Sequence, residues 1–191
     1  MAADEQGNDL DAVGVPITGL AAFAKLETTN VIAKDKMGAK PLALGAAFQM
    51  IGLYKQDGGP AAARDAGEAI EFFQKGYSIA GDGTRTVAIT AAEMNAAVLE
   101  LTEGVEPDTN GVVAVSSSLP NNRFILFTVT RYRGGWEKRR QGVAFVSQVE
   151  PDQEERGAVE GQKITFTWVE HDLFGGSPYW EWQGIPGPVA P

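Results

Sequence analysis

The sequence predicts a mainly β fold, a β-sandwich or barrel with one flanking α-helix, an extended N-terminal arm and an extended C-terminal tail. Alternation of apolar and polar residues recurs along the chain from residue 46 onward. A helical pattern is clear in one segment, at about residues 91–103. The segment 123–133 (RFILFTVTRYR) is apolar on both faces, which is typical of a strand that is covered on both sides. At 191 residues, the chain has the length of about one domain.

Domain boundaries follow from the loss of periodicity at both ends. Residues 1–45 are rich in Ala, Gly and acidic residues and favour an arm and lead-in. Residues 46–183 form the predicted β domain, which begins with a strand at AAFQMIGLYK (46–55) and continues through a loop at 57–69. Residues 184–191 contain three prolines, which cannot donate to a β-ladder, and are therefore predicted to form a tail.

The middle of the chain predicts a hairpin followed by the helix. The segments IEFFQKGYSI (70–79) and TRTVAIT (84–90) flank a GDG turn and are expected to pair. A Thr90-x-x-Glu93 capping box precedes an apolar stripe, and Gly104 lies where a C-terminal cap is expected. The stripe consists of Met94, Ala97, Val98 and Leu101. This pattern is typical of an amphipathic helix that covers a sheet.

Four further strands are predicted after the helix, at 112–118, 123–133, 138–149 and 161–171. Gly134 and Gly135 tolerate positive φ angles, so RYRGGWEKRR (131–140) is predicted to be a hairpin turn with its flanking strands.

Composition argues against most enzyme and cofactor classes. The chain has no Cys, and His171 is the single histidine, which excludes thiolate metal sites and histidine clusters. The segment GDGTRT (81–86) lies between strands and does not open a helix, so it does not predict a phosphate loop. The N-terminus lacks a signal-peptide pattern, and no stretch predicts a membrane span. We therefore expect a soluble protein that is not an enzyme and that requires no metal or cofactor.

The chain has a net charge of −9 and contains two blocks of opposite charge, a basic block at residues 131–140 and an acidic block at residues 150–160. Pairing between such blocks, within a subunit or between copies, would fix the register of an assembly. The candidate inter-subunit residues are Arg131, Arg133, Lys138, Arg139 and Arg140 in the basic block and Glu150, Asp152, Glu154 and Glu155 in the acidic block. A solvated turn and a nucleic-acid surface remain alternatives for the basic block, although an acidic protein repels phosphate.

A cluster of tryptophans near the C-terminus has two possible roles, in binding a sugar or in packing. Trp168, Trp180 and Trp182 are suited to stacking on a sugar, but Trp168 continues the alternation of Ile164 and Phe166. Packing in a core or an interface is therefore the favoured interpretation, and carbohydrate binding is the alternative.

The order of parts resembles the major tail tube proteins of long non-contractile-tailed bacteriophages, of the type that infects actinobacteria. The resemblance lies in FFQKGYSIAGDGTRTVAITAAEMNAAVLELTEG (72–104) and in GQKITFTWVEHD (161–172), and it covers most of residues 45–175. It implies a structural virion protein that is assembled in the host cytoplasm as homohexameric rings. These rings stack helically into a hollow tube through which DNA passes at genome ejection, without specific binding.

The resemblance also implies partners, namely further copies of the chain, a tape measure protein, a tail terminator and distal tail proteins. A tail terminator or a distal tail protein is the alternative identity within the same group of ring-forming phage components.

Overall fold

The computed structural model describes residues 5–10, 13–42 and 44–188. It contains ten strands, one α-helix and three short 3-10 helices in these ranges. The strands are β1 (Pro16–Lys25), β2 (Gln49–Met50), β3 (Ala61–Asp65), β4 (Ile70–Glu71), β5 (Ser78–Ile79), β6 (Thr84–Ala91), β7 (Phe124–Tyr132), β8 (Glu137–Pro151), β9 (Gln162–Val169) and β10 (Tyr179–Gly184). The helices are α1 (Ala96–Glu103) and the 3-10 turns Thr28–Asn30, Lys34–Lys36 and Asp172–Phe174.

Eight strands form one antiparallel sheet in the order β2-β1-β7-β8-β9-β6-β3, with β10 as a branch on β8. β8 is the longest strand, and it holds the sheet together because it pairs with three others. One edge of β8 pairs with β7, whereas the other edge pairs first with β10 and then with β9. β4 and β5 pair only with each other, as a separate small hairpin.

Apolar side chains cover both faces of the central strands. Alternate residues of β7 enter two different clusters, with Phe124 and Leu126 in one and Ile125 and Phe127 in the other. The first cluster contains side chains of α1, and the second contains side chains of the segment at residues 31–48. The prediction that β7 is covered on both faces is confirmed.

Residues 51–58 bridge β1 and β6, which lie near opposite ends of the sheet. Ile51 N donates to Ala21 O of β1 at 3.0 Å, while Lys55 N donates to Thr90 O of β6 at 3.0 Å. Tyr54 forms an isolated antiparallel bridge with Ala91. Because β1 and β6 are separated by three strands in the sheet, these bonds close the first cluster on its open side. The predicted fold class, a mainly β sandwich-like architecture with a flanking helix, is confirmed.

Helix α1 begins later than the capping box predicted. Its N-terminal cap is Asn95, whose side chain accepts a hydrogen bond from Val98 N at 3.0 Å. Thr90 belongs to β6, and Glu93 accepts from Leu53 N at 2.8 Å instead of capping the helix. Gly104 ends the helix with φ 70°, as predicted. Val98 and Leu101 are buried in the stripe, as is Ala97, but Met94 precedes the helix and is exposed.

The arm prediction for residues 1–45 differs from the structure at residues 16–25. These residues form β1, which pairs with β7 along its length and buries Ala21, Ala22, Phe23 and Ala24. A run of small residues gives little periodic signal, so the pairing partner decides the strand. At the N-terminus, residues 1–4, 11 and 12 of the predicted arm lie outside the described residues, as does Ala43.

Several loop and strand assignments also change. The predicted strand at 46–55 is reduced to β2, and the predicted loop at 57–69 contains β3. Residues 70–79 do not pair with 84–90, because they form the β4–β5 hairpin while β6 pairs with β3 and β9. Residues 112–118 contain no strand. The predicted strands that became β7, β8 and β9 are confirmed.

The predicted C-terminal tail begins at the end of β10, whose last residue is Gly184. Gly187 then forms a parallel bridge with Ala39, and residues 189–191 lie outside the described residues. In the described part of the chain, none of the helices has both the length and the apolar character that crossing a bilayer requires.

Candidate assembly surfaces

The basic hairpin is a tight turn between β7 and β8. Gly134 and Gly135 adopt φ angles of 87° and 84°, which only glycine reaches without strain. Tyr132 N donates to Trp136 O at 2.8 Å, and the two rings lie 4.5 Å apart. The turn predicted from the two glycines is confirmed, and it presents one aromatic pair beside the basic residues.

Arg139 lies inside the subunit, although the sequence placed it among the inter-subunit candidates. Its side chain is 1% exposed. It pairs with Glu137 at 2.7 Å and donates to the carbonyl oxygens of Met37 and Ala39 at 2.9 and 2.8 Å. Its guanidinium also lies 5.3 Å from the centre of the Trp182 ring. Arg139 therefore attaches the 34–42 segment to the sheet and is unavailable to a neighbouring copy.

Gln141, two residues further along β8, also binds the backbone of the segment that covers the sheet. This residue was not identified from the sequence. Its amide accepts from Ile32 N and donates to Asn30 O, both at 3.0 Å. The side chain is fully buried. Together, Arg139 and Gln141 satisfy backbone groups of the segment that covers one face of the sheet. The period-2 pattern of β8 could have indicated that both side chains are buried, because it places them on the same face as the apolar Val143.

Two more basic candidates form ion pairs within the chain. Arg131 Nε donates to Glu137 at 3.0 Å, and Arg140 Nε donates to Glu181 of β10 at 2.5 Å. Burial acts to raise the pKa of the Glu181 carboxyl, but hydrogen bonds from Arg140 and Gln183 outweigh it and lower the pKa. Arg133 and Lys138 are the members of the basic block without an ion pair in the described ranges.

The acidic block begins at Glu150, near the end of β8, and continues into the connection between β8 and β9. Glu150 pairs with Lys163 at 2.7 Å, and Asp152 pairs with Lys55 at 2.5 Å and accepts from Gly161 N at 3.1 Å. The hydrogen bond from Lys55 lowers the pKa of the Asp152 carboxyl, and the same bond raises the pKa of the Lys55 amine.

Glu154 and Glu155 remain as exposed acids beyond these pairs.

The two blocks do not pair with each other within the subunit. The basic block ends at Arg140, near the start of β8, while the acidic block begins at Glu150, near the end of this 15-residue strand. At about 3.3 Å per residue, the nearest members of the two blocks are about 33 Å apart. Of the two arrangements left open by the sequence, pairing across a single subunit is therefore excluded.

A second exposed surface is the segment that carries β3, β4 and β5. All residues from 61 to 80 are exposed. They include large apolar side chains, and Phe73 is as accessible as in an extended chain. The exposed apolar members are Ile70, Phe72, Phe73, Tyr77 and Ile79. We call residues 61–80 the projecting arm, because it contributes no side chain to either apolar cluster.

The tryptophan cluster is packed within the subunit. Trp168 is buried, and the Trp180 indole donates to Phe174 O at 3.0 Å and packs on the Phe174 ring at 4.9 Å. Trp182 packs against Arg139. His171 accepts from Leu173 N at 3.2 Å and caps a 3-10 turn. No group of three metal-binding side chains occurs among the described residues.

Comparisons with known proteins find similarity among solved structures only. No protein-family model matches the chain, and no curated protein matches it. Among solved structures, the chain is similar to the tail tube of phage SPP1, determined by solid-state NMR and cryo-electron microscopy. The likeness has a TM-score of 0.45 and 10% sequence identity, and it covers 89% of this chain and 80% of the tail tube chain.

Proposed function

We propose that the protein is a structural, non-enzymatic component of a phage virion, the subunit of a tail tube. The observation that carries the proposal is the projecting arm, which exposes five large apolar side chains in a segment without a core of its own. Monomeric proteins seldom expose so many large apolar side chains within ten residues, because each large side chain that leaves water contributes about 1.5–3 kcal/mol. Contact with further copies of the chain gives this surface a partner.

Open sheet edges support assembly by the same logic. β2 pairs only with Ala22 and Phe23 of β1, so the outer edge of residues 16–20 carries no strand. β3, at the other end of the sheet, is an exposed edge strand that pairs only with β6. An unpaired edge is a template for a neighbouring strand. In our proposal, subunits use these edges to close into rings of six, and the rings stack into a hollow tube.

The acidic character of the chain suits a conduit for DNA. With a net charge of −9, the subunit repels phosphate, so a genome passes through the lumen without adhering to it. The partners proposed with this role are a tape measure protein, a tail terminator and distal tail proteins. The virion tail is the proposed location, after assembly in the host cytoplasm.

Negative-stain electron microscopy with light scattering tests this function. The purified protein should form stacked rings or hollow tubes at high concentration. The double substitution F72S/F73S should abolish assembly while leaving the thermal unfolding midpoint of the monomer unchanged, since neither side chain packs in a core cluster. V112S/V115S is the matched control, because it removes exposed apolar side chains outside the projecting arm.

Other outcomes would contradict the proposal in defined ways. Tubes formed by F72S/F73S as readily as by the unaltered chain would remove the projecting arm as the assembly surface. Single closed rings that never stack would favour a tail terminator or distal tail protein. A monomer that persists at high concentration and binds DNA or glycans would overturn the structural role.

A further inference from the structure

We propose that the basic hairpin turn of one copy docks on the acidic β8–β9 connection of the next copy, in a head-to-tail contact. We call residues 132–138 the basic tip and residues 152–161 the acidic loop. The proposal rests on the self-assembly proposed above and adds the contact surfaces, their polarity and the residues that carry the contact.

The basic tip forms one wall of a cleft of about 610 Å³. Tyr132 and Trp136 form an aromatic wall, and Val13 and Ile185 add exposed apolar surface. The Lys138 amine lies 5.9 Å from the centre of the Trp136 ring. Together with Arg133, it gives the cleft a cationic rim on an apolar floor. Such a cleft fits an acidic peptide segment that also carries an apolar side chain.

The acidic loop has that composition. Glu154, Glu155 and Glu160 are exposed carboxylates of the loop, Arg156 is an exposed cation among them, and Val159 is 61% exposed. A turn closes the loop, since Ala158 N donates to Glu155 O at 3.2 Å and Gly157 has φ 84°. Asp152 anchors its start through Lys55 and Gly161 N. The loop therefore presents three carboxylates, one guanidinium and one apolar side chain from a fixed base, and its exposed charge is negative on balance.

Strand β8 sets the direction of the contact. The basic tip and the acidic loop lie about 45 Å apart along β8, so the tip of a subunit cannot reach its own loop. A contact between different patches on identical chains is heterologous, and it either closes into a ring or continues as an open stack with a free tip at one end and a free loop at the other. In our proposal the contact takes the open form and repeats from copy to copy along the stack.

Internal ion pairs explain why only part of the basic block takes part. Arg139 is buried and shares the Glu137 carboxylate with Arg131, and Arg140 is paired with Glu181. Arg133 and Lys138 are left to contact a partner. Two cations on a chain with a net charge of −9 give little attraction for nucleic acid, whereas the loop, with three exposed carboxylates against Arg156, has the opposite sign to the basic tip.

Charge reversal with rescue tests the contact. R133E/K138E and E154K/E155K should each raise the critical concentration for assembly by about tenfold, since two attractions become repulsions. The fourfold variant R133E/K138E/E154K/E155K restores opposite charges and should assemble as the unaltered chain does. A mixture of the two double variants should also assemble, because an acidic tip then meets a basic loop.

The matched control keeps net charge equal. K25E/R123E reverses two exposed cations outside the tip and reaches the same net charge as R133E/K138E. It should assemble normally. Equal inhibition by this control, or failure of the fourfold variant to assemble, would overturn the contact. Thermal unfolding of each monomer verifies that the reversals leave the fold intact.

Disulfide trapping separates this contact from the tube itself. The chain has no Cys, so R133C and E155C introduce single thiols. An oxidised mixture of the two variants should give cross-linked heterodimers in excess of either homodimer. The pair R133C and T109C, with the second thiol on an exposed loop elsewhere, should show no excess. In 1 M salt the excess should vanish, since the screening length falls to about 3 Å.

The outcomes identify which proposal fails. Heterodimers without tubes would support the contact and overturn the tail tube function. Tubes together with random cross-linking and harmless charge reversals would overturn the contact and leave the tail tube function standing.

Discussion

β7 and the β4–β5 hairpin are both short β segments rich in aromatic and branched residues, yet they have opposite environments. Every residue of β7 from Phe124 to Val129 is buried, whereas every residue of the projecting arm is exposed. β7 pairs with β1 on one side and β8 on the other. β4 and β5 have only each other. Two strands alone are marginally stable in water, whereas a central strand is held by both neighbours and by two apolar clusters.

The contrast separates residues that fold the subunit from residues that face outward. Apolar side chains in β7 stabilise the monomer, while those in the projecting arm gain their burial only in an assembly. The charged residues divide in the same way. Arg139 is a structural residue of the monomer, and Arg133, in the same basic block, is exposed. Sequence composition is therefore a poor guide to which group a residue belongs to.

Truncating one phenylalanine from each region gives the largest expected difference. Phe127→Ala should lower the free energy of unfolding by about 4 kcal/mol, because it opens a cavity under a fully buried ring. Phe73→Ala should change it by less than about 0.5 kcal/mol, since the ring has no packing partner to lose. Urea unfolding of the monomer measures both. A large loss for Phe73→Ala would show that the projecting arm packs on the monomer in solution.

Replacing one arginine inside the subunit and one at its surface should give the next largest difference in the free energy of unfolding. Arg139→Met should cost about 3 kcal/mol of unfolding free energy, because it removes a buried ion-pair partner and leaves two buried carbonyl oxygens without a donor. Arg133→Met, at an exposed position, is the control and should leave stability unchanged. Denaturant titrations compare the two. Equal stability of both variants would contradict the structural role of Arg139.

The ion pair between Lys55 and Asp152 gives a smaller, pH-dependent effect. The pKa of Asp152 lies below its ordinary value of 3.8, so its contribution is present above that pH and is lost as pH falls through the lowered pKa. The pKa of Lys55 lies above its ordinary 10.5, so its contribution is lost as pH rises through the raised pKa. Unfolding midpoints of the unaltered chain and of Asp152→Asn should differ at neutral pH and converge at low pH. A constant difference across the acidic range would exclude the pair as the cause.

The sequence determined the elements whose signal is local. β7, β8 and β9 have period-2 patterns, and Gly134, Gly135 and Gly104 mark a turn and a helix end that only residues without a side chain occupy easily. Helix α1 follows from its apolar stripe. The first residue of the helix did not follow from the sequence, because Thr90 and Asn95 are both residue types that cap helices. Thr90 is part of β6, so Asn95 is the N-terminal cap.

Strand pairing, burial and the placement of charges depend on residues distant in the chain, and only the tertiary structure decided them. β1 is a strand because β7 pairs with it, although its own small residues predicted an arm. Arg139 is buried because carbonyl oxygens about 100 residues earlier accept hydrogen bonds from its guanidinium, while Arg133 of the same block is exposed. The charge blocks were visible in the sequence, but only the length and direction of β8 placed them at opposite ends. Local patterns fix backbone conformation, whereas burial and charge pairing arise from contacts that form only when distant segments meet.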